Sequence, residues 1–252
     1  MRLFQIVKYT LFAVLATVLQ GCCGGGADSA PGPVSQAGST AAMISYENAL
    51  YTLDNSTLKI FDISDGFNPI LKDELRLEFP ETLFIHNDHL YVGGFTGVSI
   101  WNLQDPLNPE EVGFYEHARN CDPVILEGTT GYVTLGGSHT CNSQTSRLEI
   151  VDFSTPEAPT KIAEYPMTSP YGLAKTPDFL AVCEEQYGLT LLDVQDPFNI
   201  QRLANYPGIQ CFDAIFSANN LILTASDGIY QFEASDQYLD ELSVIPVRGQ
   251  LQ

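Results

Sequence analysis

Basic residues are scarce in this chain: 11 Lys and Arg stand against 31 Asp and Glu, with four His, for a formal charge of −20. Such a field repels phosphate backbones and anionic lipid surfaces, so nucleic acid drops out as a partner class, while solubility and attraction of cations are favoured. There is no second long apolar run after Leu11–Leu19, which removes a membrane-spanning helix from the body of the protein. Gly-rich phosphate loops, a Gly-x-Ser-x-Gly elbow, a His-Glu-x-x-His pair and EF-hand spacing are all missing. So few histidines leave no Ser-His-Asp or Cys-His apparatus that spacing could assemble. Turn signals also interrupt the chain too often for helices of ten or more residues, which argues against a helical architecture.

The first 21 residues carry Arg2 and Lys8, no acid, and an apolar run too short to span a bilayer comfortably, the pattern of a secretory signal. The run ends in Leu19-Gln20-Gly21-Cys22, which resembles the lipobox of bacterial lipoproteins. That resemblance implies cleavage before Cys22, acylation of its thiol, and, with Cys23 rather than Asp next, sorting to the outer membrane. The expected location is therefore the bacterial cell envelope, with membrane contact through the lipid anchor only. Removal of the signal takes away two bases and no acid, leaving nine bases against 31 acids and a formal charge of −22. Residues 22–41 are mostly Gly, Ser, Ala and Pro, a composition that cannot bury enough apolar surface to fold and so reads as a flexible tether. Its reach is on the order of 25 Å. Residues 42–252 suffice for one domain with its own core.

What the chain does contain is a repeat. Leu148-Glu149-Ile150-Val151-Asp152, running on to Pro159, has close copies in Leu58–Asp62, Val98–Asn102 and Leu189–Asp193, and a degenerate one in Gly228–Phe232. The anchors Asp62, Asn102, Asp152, Asp193 and Gln231 are 40, 50, 41 and 38 residues apart, a period that implies an array of supersecondary units. Unit two shows the plan: Thr82–His86, Asn87-Asp88, Leu90–Val92, Gly93-Gly94, Val98–Trp101, Asp105–Pro109 and Glu111–Tyr115 alternate short β-rich runs with turn chemistry. Four strands per unit of about 40 residues is the blade of a β-propeller. The expectation is an all-β fold, a propeller of about five four-stranded blades, with innermost strands beginning near Ala42, Glu81, Asp122, Tyr171 and Phe212. Because the fifth copy is degenerate, an incomplete ring that closes by dimerisation stays open as an alternative. A solenoid is disfavoured, because it would leave an apolar end uncapped.

At the anchor strand the sequence resembles the LVIVD-repeat family of bacterial and archaeal surface and secreted proteins, over nearly all of residues 42 to 235. Copies one, three and four keep the Asp, copy two has Asn102 and copy five loses it at Gln231. The resemblance implies a propeller and carries no established chemistry.

Repetition of Asp at a strand end points to a turn-capping role rather than a site. Function is expected where the repeat is broken, in the long unit-three loop from Gly136 to Arg147. Two of the four body cysteines flank or lie in it. In an oxidising compartment they are simplest as two disulfides, and of the three pairings Cys121–Cys141 with Cys183–Cys211 is preferred. A hairpin turning at Gly128–Gly131 would put Cys121 opposite position 138, close to Cys141. Two rival chemistries stay open: a soft-metal site of His117, Cys121, His139 and Cys141, and a cation held where Glu81, Asp122 and Asp213 enter the innermost strands, with Tyr171 at the equivalent place in unit four.

These observations predict a lipid-anchored envelope module that binds a protein or extracellular ligand through its cysteine-bearing face. His117, Arg119, Asp122, His139, Glu184, Tyr187 and Asp213 are expected on that face. No catalytic residue, cofactor or resident metal is assigned. A metal-dependent hydrolase or lyase using an acidic channel, and a structural component of an oligomeric surface assembly, are the alternatives.

Overall fold

The computed structural model describes residues 38–117, 123–136, 146–185, 187–235 and 238–247. Blade one is β1 (Met43–Tyr46), β2 (Ala49–Asp54), β3 (Thr57–Asp62) and β4 (Ile70–Arg76); blade two is β5 (Pro80–His86), β6 (His89–Gly94), β7 (Gly97–Asn102) and β8 (Glu110–Glu116). Blade three is β9 (Val124–Glu127), β10 (Thr130–Leu135), β11 (Arg147–Asp152) and β12 (Thr160–Pro166). Blade four is β13 (Pro170–Lys175), β14 (Phe179–Glu184), β15 (Gly188–Asp193) and β16 (Gln201–Tyr206), and blade five is β17 (Cys211–Ser217), β18 (Asn220–Ala225), β19 (Gly228–Ala234) and β20 (Leu239–Pro246). Each blade is a four-stranded antiparallel sheet in chain order. The fold is a β-propeller of five blades, as the repeat predicts.

The repeated Asp caps the turn after the third strand. Asp62 Oδ1 accepts from Ser64 N at 2.9 Å, Asn102 Oδ1 from Gln104 N at 2.8 Å, Asp152 Oδ1 from Ser154 N at 2.8 Å and Asp193 Oδ1 from Gln195 N at 3.0 Å. In all five blades the pairing of third and fourth strands slips by one residue, between Ile60/Phe61, Ile100/Trp101, Ile150/Val151, Leu191/Leu192 and Gln231/Phe232. A bulge at that place sharpens the twist of the outer edge. The first hairpin of blade three turns at Gly128-Thr129 with Val133 opposite Val124. This register is two residues tighter than one that sets Cys121 against position 138, and both Cys121 and Cys141 lie outside the described residues.

Burial follows the ring. Four hydrophobic clusters fill the junctions of blades one and two, two and three, three and four, and four and five. Central strands β6, β7, β10, β11, β14 and β15 are buried on both faces almost residue by residue, which is why Leu148–Val151 and Leu189–Leu192 read as near-continuous apolar runs. Strands β2, β3, β18 and β19 bury mainly alternate residues. Among the described residues no buried cluster joins blade five to blade one, so Leu50 and Phe61 on one side and Ile215 and Ile222 on the other stay half-buried.

That junction is bridged by polar contacts from a turn, Gly38–Ala41, closed by Ala41 N donating to Gly38 O at 3.1 Å. Ser39 is only 1% exposed. Its hydroxyl donates to Asp213 Oδ1 of blade five at 3.0 Å and accepts from Leu173 N of blade four at 2.8 Å, while Ala41 O accepts from Leu83 N of blade two at 2.7 Å. Residues 38–41 therefore belong to the body and not to the tether in which composition places them.

Candidate functional site

A cavity of about 540 Å³ lies among the five innermost strands. Its lining takes Ile44 from β1, Phe84 and Ile85 from β5, Ile125 and Leu126 from β9, Leu173 and Ala174 from β13, and Ala214, Ile215 and Phe216 from β17. Most of these come from the later parts of the strands, so the cavity sits toward the end of the ring that carries the Asp turns. Ser39 also lines it, bonded to Leu173 of β13 and Asp213 of β17. Inner strands supply apolar walls because each packs between two neighbouring blades, and the alternation of its side chains serves both junctions.

The polar groups around the cavity are tied into bonds between blades. Tyr46 OH donates to Asp88 Oδ1 at 2.5 Å, linking blades one and two, and that bond, with burial and the Asp88 charge, pushes the phenol up to about 12. His86 Nε2 stands 2.9 Å from Gly128 O and Asn87 Nδ2 donates to the same carbonyl at 3.3 Å, linking blades two and three. A carbonyl only accepts, so His86 carries its proton on Nε2 in that bond. Lys175 Nζ donates to Glu127 Oε2 at 2.6 Å and to Thr176 O at 2.6 Å, and lies 5.2 Å from the centre of the Tyr132 ring, linking blades three and four. Burial pushes the Tyr132 phenol up to about 12 as well. What remains for a ligand is a predominantly apolar hollow.

Two carboxylates are buried in the blades themselves. Glu149, 1% exposed, accepts from Tyr115 OH at 2.7 Å, Arg147 Nε at 2.7 Å and Lys161 Nζ at 3.2 Å. Burial pushes its carboxyl up, but the bonds from Tyr115, Arg147 and Lys161 outweigh burial and the net displacement is downward. Glu184, also 1% exposed, accepts from Thr168 N at 2.7 Å and Thr190 Oγ1 at 2.5 Å and lies 3.6 Å from Arg202.

The residues expected to form the site fare differently. Cys183 and Cys211 are bonded, with Cα atoms 5.4 Å apart, joining the end of β14 to the start of β17. Cys22, Arg119, Cys121, Asp122, His139 and Cys141 lie outside the described residues. Tyr187 is 47% exposed and His117 follows β8 with its ring 6.1 Å from that of Tyr115. Glu184 is a correction: expected on the binding face, it is sealed inside blade four, where its carboxylate organises the blade's own donors. Asp213 is half-buried and accepts from Ser39 Oγ, from Thr40 Oγ1 at 2.7 Å and from Ala214 N at 2.9 Å. Those bonds occupy the oxygens an acidic cation site would use. Among the described residues no three His, Cys, Asp or Glu side chains converge as a metal-ligand set. Sequence reasoning expected an acidic channel and missed the apolar lining, because apolar residues on inner strands look like core.

No protein-family model matches the chain, and no curated protein does. Solved structures do. A Bacteroides fragilis protein provisionally described as a 6-phosphogluconolactonase is 11% identical with a TM-score of 0.65, covering 81% of this chain and 69% of that one. The periplasmic gluconolactonase PpgL of Pseudomonas aeruginosa is 10% identical with a TM-score of 0.64, covering 79% and 68%. Apo AztD of Citrobacter koseri is 13% identical with a TM-score of 0.60, covering 82% and 61%. At such identities the likeness shows the fold alone, and in that fold this chain is a β-propeller.

Proposed function

We propose that the protein is a binding module of the bacterial envelope, held by a lipid on Cys22, that takes the apolar part of an extracellular ligand into its central cavity. The observation that carries this reading is the cavity itself: about 540 Å³ with walls drawn from all five inner strands. A volume of that size suits a small ligand, and apolar walls with polar groups at the margin are the usual make-up of such sites. The polar margin here is committed to holding blades together, which supports recognition by shape and apolar contact rather than catalysis. The lipobox resemblance at Leu19–Cys22 and the LVIVD-like repeats support an address at the cell surface.

The test uses the mature chain with Cys22→Ser and the neutral fluorophore N-phenyl-1-naphthylamine. One saturable site is expected. Ile215→Glu places a carboxylate on the cavity wall at a half-buried position and should weaken dye binding about tenfold or more without changing the β-sheet circular dichroism. Dye binding that is absent, or that ignores Ile215→Glu, overturns the reading.

A further inference from the structure

The polar slots of blades two, three and four occupy equivalent places, and blade two lacks a partner that the other two contain. Strand pairing aligns Ser99, Glu149 and Thr190 on the third strands, Gly94, Leu135 and Glu184 at the ends of the second strands, and Glu111, Lys161 and Arg202 on the fourth. Blade three fills its slot with the Glu149 carboxylate and neutralises it with Lys161 and Arg147. Blade four supplies a carboxylate from the other position, Glu184, and sets Arg202 beside it. In each, an acid and a fourth-strand base form a closed pair.

Blade two has neither arrangement. Its fourth strand carries an acid, Glu111, where the others carry a base, and a hollow of about 240 Å³ remains where the buried group would lie. The hollow is lined by Arg76, Glu78, Thr96, Ser99, Glu111 and Phe114, among others. Backbone proximity explains why the chain does not fill it. A Cβ on Gly97, the counterpart of Arg147, would stand 2.2 Å from Tyr115 O, and a Cβ on Gly94, the counterpart of Glu184, would stand 2.9 Å from Phe79 O. No side chain can be grown from either place without moving the backbone.

We propose that the blade-two slot binds a positively charged nitrogen, an ammonium or guanidinium. The acid positions of the other blades are Ser99 and Gly94 here, the base position holds the acid Glu111, and room for a cationic group is open beside it. Two acids, Glu78 and Glu111, face one base, Arg76, in the lining. Phe114, 47% exposed, supplies an aromatic wall against which a cation gains further. The strongly negative charge of the chain draws cations toward the surface generally, and the slot adds a place for one to desolvate in part. The site is separate from the central cavity and does not depend on a ligand there.

The reporter is built in. Trp101 is the one tryptophan of the chain, and its Nε1–H donates to Ser99 Oγ at 2.9 Å on the wall of the slot. The mature chain with Cys22→Ser is titrated with Nα-acetyl-lysine amide while the Trp101 indole N–H resonance is followed, and Nα-acetyl-norleucine amide serves as the uncharged control. A saturable shift with the lysine compound alone is expected, weakened about tenfold by Glu111→Gln, an exposed substitution that leaves circular dichroism unchanged. A parallel titration with n-butylammonium separates the sources: tighter binding of the lysine amide assigns a basic side chain of a protein, and equal or tighter binding of the free amine assigns a small amine. An equal shift with norleucine, preference for Nα-acetyl-glutamate amide, indifference to Glu111→Gln, or a silent Trp101 with every compound overturns the proposal.

Discussion

Ser39 Oγ donates to Asp213 Oδ1 at 3.0 Å, a bond between residues 174 positions apart that joins the turn before blade one to blade five. No buried cluster joins blade five to blade one among the described residues, so this contact and its neighbour from Thr40 carry much of that junction. Asp213→Ala would leave the buried Ser39 hydroxyl without its acceptor. A loss of about 2 kcal/mol in urea unfolding is expected, together with faster cleavage by proteinase K near residues 38–41. A variant with unchanged stability and unchanged cleavage shows that the ring holds without this latch.

The Cys183–Cys211 bond staples the last blade to the fourth, closing a loop of 28 residues. Blade five lacks a buried apolar junction with blade one among the described residues and is therefore expected to be the first to fray. Cys183→Ala with Cys211→Ala should lower stability by about 3.5 kcal/mol on loop-entropy grounds. Hydrogen exchange locates the effect: β17–β20 should lose protection before β5–β8, and uniform loss across all blades would contradict a stapled end.

The distance over which a residue finds its partner decides how much of this was legible from sequence. Asp62, Asp152 and Asp193 bond to an amide two residues on, so turn chemistry alone assigned them. Cys183 and Cys211 end and begin strands at matching places, which made theirs the preferred pairing of the three possible, and the structure bonds them. Ser39 sits in a Gly-Ser-Thr stretch that reads as linker, and only a carboxylate in blade five makes it core. Glu184 stands beside Glu185 at a hairpin and reads as solvated, yet Thr168 N and Thr190 Oγ1 bury it. In both cases the cost of burying the group is offset by donors or acceptors that no local pattern announces.

Glu149 should make stability depend on pH. Its carboxyl lies below the usual carboxylate range in the folded protein, so the folded state holds the proton less tightly than the unfolded chain. The stabilisation is fully present above the unfolded value near 4.3 and is lost as the pH falls through the lower folded value. In the wild type, urea midpoints should drop below about pH 4, and Glu149→Gln should flatten that drop while lowering stability at pH 7. Equal pH profiles for the two proteins would remove Glu149 from the acid response.

Modularity gives the last prediction. The turn caps Asp62 and Asp193 lie in blades one and four and share no partner, each serving its own third-to-fourth strand turn. Asp62→Ala and Asp193→Ala should each cost about 1 kcal/mol. Their double mutant should cost the sum to within about 0.5 kcal/mol. Tyr115 and Glu149 are the contrast, because the phenol of blade two donates to the carboxylate of blade three at 2.7 Å. Once Glu149→Gln has been made, Tyr115→Phe should cost about 1 kcal/mol less than it does alone, since the charged acceptor is already gone. Coupling thus belongs to junctions between adjacent blades, where side chains cross from one sheet to the next, and is absent within the repeated turns. Strong coupling of Asp62 to Asp193 would mean that the turns communicate around the ring, and the protein would have to be treated as one cooperative body rather than as an array of blades.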